Sequence, residues 1–417
     1  MSVTRRHFFK TSLGFSTLLA FSPAVPRFLC RAANAATLEG ARGETILVVL
    51  QLAGGNDGLN TVVPYGDDEY GRNRPTLRLP PARLHKIDTM LGFHPELAGF
   101  HRLFQEGHMA IVQGVGYPNH SVQHPTAMRA WQTAQPDEAR AESGWVGRAA
   151  DVAQRPDVPE TPAVFVGQIN RPFSINAQQT IIPTVHSLSD CRFHRTANGA
   201  IEQRRHVGEA AALPRAEGGK GLLDFMVRST AAAYASDRRI EALQALPNTT
   251  ADYPPFQLAG TLRTVAQLIR AEAGIRIYYT ELGGEEPGGF DNHAAQRDNH
   301  AALLRQLSDS VAAFFDDLKR QHLLDRVVLM TISEFGRSVT ENGRRGTDHG
   351  SAAAMFVAGG QVHGGLVGPH PSLTQLEGGG LKFHTDFRRV YATLLDQWLR
   401  LDSRAVLGAQ YQPLAII

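Results

Sequence analysis

Short apolar runs separated by longer amphipathic stretches set the pattern of this chain. The segment ETILVVLQLAGGNDG, residues 44–58, opens with a run too short and too rich in Val and Leu for a surface helix and closes in glycines. It predicts a buried central strand with a polar turn at its C-terminal end. Similar runs occur at residues 109–115, 163–166, 275–279, 327–332 and 353–358. Helical patterns lie between them. The clearest spans residues 296–320, where Leu303, Leu304, Leu307, Val311, Phe314, Phe315 and Leu318 recur at spacings that gather one apolar stripe against a core. Strands alternating with helices predict an α/β fold: a mostly parallel central sheet with helices on both faces and chemistry beyond the carboxyl ends of the strands. Residues 192–255 break the pattern, being polar and rich in Ala, Arg and Glu, and predict a helical insertion or cap. Residues 386–401 predict a packing helix with Phe387, Val390, Tyr391, Leu394, Leu395 and Trp398 on its inner face.

The first residues follow a different logic. Arg5 and Arg6 in TRRHFFK precede an uncharged stretch from Thr11 to Pro26 that is only modestly apolar and contains Pro23. A membrane span needs about 20 predominantly apolar residues, so the stretch predicts a cleavable signal and no stable membrane span. A small-residue site at Ala33-Asn34-Ala35 places cleavage before Ala36. Residues 1–35 are thus expected to be a twin-arginine signal, residues 36–417 a single large domain, the twin-arginine translocase a partner during export, and the location periplasmic or otherwise exported. With 42 basic and 40 acidic side chains, charge gives no case for nucleic acid. Of the two cysteines, Cys30 lies in the signal, so Cys191 alone cannot form an internal disulfide.

Candidate chemistry gathers beside the predicted strands. GGNDGLNT places Asp57 after the first strand, GGFDNH supplies Asp291 and His293, and TISEFGR sets Glu334 at the mouth of a strand with Arg337 beyond it. GTDHG supplies Asp348 and His349 just before the run at 353–358. Carboxylates and imidazoles brought together suit a divalent ion, with Zn, Mn, Mg and Ca not distinguished. Each residue also has a plainer role: an Asp after a strand caps a turn, and a buried arginine pairs with a carboxylate. Without a cation, such a set would concentrate negative charge at one sheet edge.

In their order along the chain, the twin-arginine start, LAGGNDGLNT, GGFDNH, TISEFGR and TDHG resemble the bacterial exported family catalogued as domain of unknown function fifteen-oh-one. That family is similar to the alkaline phosphatase and sulfatase superfamily. The resemblance covers nearly all of the mature chain and implies an alkaline-phosphatase-like α/β fold. It also implies one or two divalent ions and a small anionic substrate, a phosphate or sulfate ester. By the same resemblance, Asp57 and Glu334 would hold one ion with the nucleophile, and Asp291, His293 and His349 the other. Two differences from the superfamily pattern are the short Asp-to-His spacing and Phe335 after Glu334, where an Asp-His pair is common. Relatives carry Ser-His-Phe where this chain has Gln123, His124 and Pro125. Ser121 is then the nearest hydroxyl for a nucleophile, with Thr126 another, and helix capping competes for both. Arg337 could clamp an anionic oxygen. His120 and His124 stay open between anion or metal binding and solvated turns, and His300 reads as structural. Two functional classes follow: a metal-dependent ester hydrolase, or a non-catalytic, metal-stabilised binding or scaffold protein of the same fold.

Overall fold

In the computed structural model of the protein, the residues described are 44–136, 141–153, 162–167, 171–186, 251–271, 274–283 and 289–417. The segment ILVVLQL forms the central strand β1 (Ile46–Leu52), buried along its whole length. Its pleat sends Leu47 and Val49 into one apolar cluster and Ile46, Val48, Leu50 and Leu52 into another on the opposite face. The other five runs become β2 (Met109–Gly116), β3 (Ala163–Val166), β5 (Ile277–Leu282), β6 (Val327–Ile332) and β7 (Ala353–Gly359), and a short strand that the pattern does not mark, β4 (Thr184–Val185), joins them. Two short strands, β8 (Gly365–Val367) and β9 (Thr385–Asp386), both pair parallel with β2.

The strand order is β8-β2-β7-β6-β1-β5-β3-β4. β1 lies parallel to both neighbours, with Val48 opposite Tyr278 on β5 and Leu329 on β6. β7 runs antiparallel to both of its own neighbours, β6 and β2. Its reversal brings the residues that precede it to the edge where the parallel strands end. The sheet is therefore mostly parallel, as the alternating pattern predicts.

Helices cover both faces. On one lie α1 (Ala98–Gln105), α4 (Gln257–Arg270) and α5 (Gln296–Arg320); on the other lie α2 (His124–Thr133), α3 (Trp145–Ala153) and α6 (Phe387–Thr393). The apolar stripe of α5 is buried as expected, from Leu303 to Leu318. Asp298 in its first turn and Lys319 and Arg320 in its last complement the helix dipole. The helix expected over 386–401 is capped by Asp386 and then widens into a π-turn at Leu394–Trp398. Trp398 there donates Nε1–H to the Ile46 carbonyl at 2.9 Å, fastening the C-terminal helix to the start of β1.

The predicted signal at 1–35 lies outside the described residues, as does the predicted cap except for residues 251–255, which contain no helix. Among the described residues, no helix is long and apolar enough to cross a membrane.

Candidate metal centre

The connections leaving β1, β2, β5 and β6, and the one entering β7, meet at one sheet edge. Gly54 and Gly55 follow β1 at φ of +109° and +75°. A Cβ on Gly54 would lie 2.6 Å from the backbone nitrogen of Asp291, so only glycine lets these connections touch. Arg337 ties them together. Its buried guanidinium donates to the carbonyls of Gly55 (2.7 Å), Thr347 (3.2 Å), Phe290 (3.0 Å) and Gly54, and to Asp291 Oδ1 at 2.7 Å. Arg337 opens a short strand, Arg337–Glu341, which forms a hairpin with Thr347–His349 and sets His349 beside the site.

Three imidazoles surround the Asp291 carboxylate. His124 Nδ1 lies 3.0 Å from Glu334 Oε1, and its Nε2 faces Asp291 Oδ2 at 3.4 Å. That second approach lacks hydrogen-bond geometry, which leaves the buried Nε2 atom without a hydrogen-bond partner. His349 Nδ1 lies 2.6 Å from the Val122 carbonyl and must be the donor; its Nε2 is 3.3 Å from Asp291 Oδ1. His293 Nδ1 is 3.4 Å from Asp348 Oδ1, and its Nε2 is 3.1 Å from Asp291 Oδ1. Each ring thus offers Nδ1 to an acceptor and turns Nε2 toward one point, the arrangement in which second-shell acceptors orient histidine ligands. His293 Nε2 and His349 Nε2 are 2.9 Å apart. With both Nδ1 atoms protonated, two neutral rings would set lone pair against lone pair there, a contact relieved by a cation or by an added proton.

Ligand atoms of His124, Asp291 and His349 all lie within 4.8 Å of one another, as a single ion requires. Asp291 is 43% exposed and opens to solvent. Phe335 closes the other side, its ring centroid 4.6 Å from that of His349 and 4.9 Å from that of His124.

The electrostatics suit a cation. Partial burial pushes the Asp291 carboxyl up, but the hydrogen bond and charge of Arg337 outweigh it, so the group stays below the usual carboxylate range. Burial lowers His349, with the charges of Arg337 and His124 adding to it, which keeps its ring neutral. The hydrogen bond to Glu334 raises His124. A cation at Nε2 would compete with that extra proton.

Of the residues expected from sequence, Asp291, His293 and His349 meet here. Glu334 reaches the site through His124, as its hydrogen-bond acceptor. Asp57 is turned elsewhere: Oδ2 accepts from Arg74 Nη1 and from Gln296 Nε2, each at 2.5 Å, and Oδ1 accepts from Leu59 N as a helix cap. Burial alone would raise its carboxyl, and Arg74 overrides this to hold it low. Ser121 Oγ accepts from Gln123 N at 3.1 Å in the turn before α2, a local contact and not the helix cap set against catalysis in the sequence, since the cap position is Gln123. Arg337 is occupied by backbone carbonyls and Asp291 instead of offering a free fork to substrate. His300 is structural as expected, buried with Nε2 3.0 Å from Asn56 Oδ1. The residue sequence left open is His124. The only local signal for it is its position at the first turn of α2, before Pro125.

The profile of the family described as "Protein of unknown function (DUF1501)" matches residues 107–407. No curated protein matches. Among solved structures, the chain overlaps the lipoteichoic acid synthase LtaP from Listeria monocytogenes at 10% identity and TM-score 0.31, covering 82% of this chain and 68% of that one. The zinc complex of the C-terminal periplasmic domain of EcEptC from Escherichia coli gives 11% identity and TM-score 0.32, with coverage of 78% and 75%. An alkaline phosphatase superfamily protein from Vibrio parahaemolyticus gives 8% and 0.34, with coverage of 93% and 76%. These overlaps are loose, and the assignment rests on the profile, which spans the connections carrying His124, Asp291, Glu334 and His349: the chain belongs to the DUF1501 family.

Proposed function

We propose that this protein is an exported, metal-dependent hydrolase of phosphate or sulfate esters. One observation carries the reading: three imidazoles with occupied Nδ1 atoms direct Nε2 at one Arg-anchored carboxylate in a solvent-open site. His124, His349 and Asp291 would hold a divalent ion, with His293 as a fourth ligand, its Nε2 atom 2.9 Å from His349 Nε2 and 3.1 Å from Asp291 Oδ1. Such an ion supplies Lewis-acid stabilisation of charge on the group transferred and makes a water more acidic. Arg337 fixes the Asp291 carboxylate and Glu334 keeps the proton on His124 Nδ1, so both remain oriented while substrate changes. Phe335 excludes water from one side. Small anionic esters fit a cationic centre open to solvent. The twin-arginine start supports export, and the resemblance to a family similar to the alkaline phosphatase and sulfatase superfamily supports the ester class.

The hydroxyl of Ser121 is engaged in its own turn. That favours water as nucleophile and also keeps a second reading, a metal-stabilised binding or scaffold protein at the cell envelope. Aryl phosphate, phosphodiester and aryl sulfate substrates, each tested with Zn, Mn, Mg and Ca, separate the two. Turnover that is lost in Asp291→Ala and kept in Ser121→Ala supports a water-dependent hydrolase. Bound metal with no turnover of any ester supports the scaffold.

A further inference from the structure

We propose that the centre holds one ion, not two, bound by His124, His293, His349 and Asp291, and that Arg74 replaces the second cation implied by the superfamily resemblance. The inference rests on the metal-dependent reading above and deepens it. A second ion would need Asp57 and Glu334, and both are engaged within the chain.

Asp57 and Arg74 form a pair at 2.5 Å, with side chains 2% and 0% exposed. The guanidinium is engaged through each of its three nitrogens: Nη1 also donates to Asn60 Oδ1 (2.8 Å), Nε to the Val339 carbonyl (3.0 Å) and Nη2 to the Ser338 carbonyl (2.9 Å). Gln296 completes the Asp57 carboxylate and is itself held by Thr347, whose hydroxyl donates to Gln296 Oε1 at 2.6 Å. The positive charge Asp57 needs is thus built into the protein and both of its oxygens are taken, Oδ2 by Arg74 and Gln296 and Oδ1 by Leu59 N, whereas Arg337 takes only Oδ1 of Asp291 and leaves Oδ2 facing His124 Nε2.

Glu334 is held through one oxygen: Oε1 takes the Gly54 amide at 2.8 Å and His124 Nδ1 at 3.0 Å, while Ser333 Oγ, 3.3 Å from Oε2, shares its one proton with the Leu52 carbonyl at 2.8 Å. It acts as an outer-shell partner that orients His124. What remains is one nitrogen-rich donor set. Three imidazoles and one carboxylate suit Zn, Co and related first-row ions, whereas Mg and Ca prefer sets made of oxygen.

Cobalt(II) titration of the metal-free full chain, followed by its visible absorption and by elemental analysis, tests this without any substrate. The expected result is a break at one equivalent, unmoved by a large excess of Mg or Ca. Loss of an outer-shell partner typically weakens metal binding by about 10–100-fold, so loss of a ligand in His124→Ala should weaken it by more than about 100-fold and change the cobalt spectrum. Asp57→Asn should leave the stoichiometry and spectrum unchanged; if that variant fails to fold, the stoichiometry of the unaltered chain decides. A break at two equivalents, displacement by Mg or Ca, or an unchanged spectrum in His124→Ala overturns the one-ion centre while leaving metal-dependent hydrolysis standing. No cobalt bound at any concentration overturns both.

Discussion

His124 Nδ1 and Glu334 Oε1 lie 3.0 Å apart, and Glu334 also receives the amide of Gly54 on that same oxygen. One carboxylate therefore couples the turn after β1 to the first residue of α2. In Glu334→Gln the acceptor survives and the charge does not. The expected outcome is a folded protein whose zinc affinity drops by about 10–100-fold, read by competition with a chromogenic chelator.

On the one-ion reading, breaking the buried Asp57–Arg74 pair should lower stability and leave metal binding in place. Arg74→Met leaves a buried carboxylate without its partner and should cost about 3–5 kcal/mol, read as a lower urea midpoint. The double variant Asp57→Asn with Arg74→Met should recover part of that loss, since no charge is then stranded. Equal stability of the single variant and the unaltered protein would show that the pair is not the anchor described.

Gly54→Ala forces a side chain into the left-handed region and into the backbone nitrogen of Asp291. The strain should cost about 1–3 kcal/mol and displace the ligand, so thermal stability and metal affinity should fall together. A variant with only one of the two lowered would separate the close approach from the centre.

Stability should narrow from both ends of the pH range. Burial, with the charge of Glu334, pushes Glu281 from its ordinary 4.5 to about 8. The folded state keeps a proton that the unfolded chain releases, so this contribution is full below pH 4.5 and declines as pH rises to about 8. Burial lowers His300 from 6.5 to about 4, so its contribution is full above 6.5 and is lost as pH falls to about 4. Glu281→Gln should flatten the alkaline limb in denaturant midpoints measured across pH and leave the acid limb in place.

Metal removal should lower the melting temperature, because an ion that binds only the folded chain stabilises it. Calorimetry before and after chelation, with zinc restored as control, checks this. An unchanged transition after complete removal would count against a centre formed by folding.

The strands were legible because burial on both faces requires continuous apolar runs, as in Ile46–Leu52, and α5 was legible from its stripe. The direction of β7 was not: an antiparallel strand inside a parallel sheet is as apolar as its neighbours, and only pairing reveals it. Asp291, His293 and His349 were readable as chemistry from their segments. Asp57 looked the same in sequence, since a strand-end Asp among glycines serves a cation or an arginine equally well. Its partner sits 17 positions away with no local mark of that role. His124 was ambiguous for the converse reason: its partners Glu334, Asp291 and His349 come from elsewhere in the chain, and no local spacing encodes them.

The hydrogen bond between the Val122 carbonyl and His349 Nδ1 joins positions 227 residues apart. No fragment ending before the last quarter of the chain can contain that clasp, so an incomplete polypeptide would hold scattered, weakly binding side chains and not a coordination shell. If the centre binds an ion, its capture would then certify that the chain has been made at least through His349 and that these distant segments have docked.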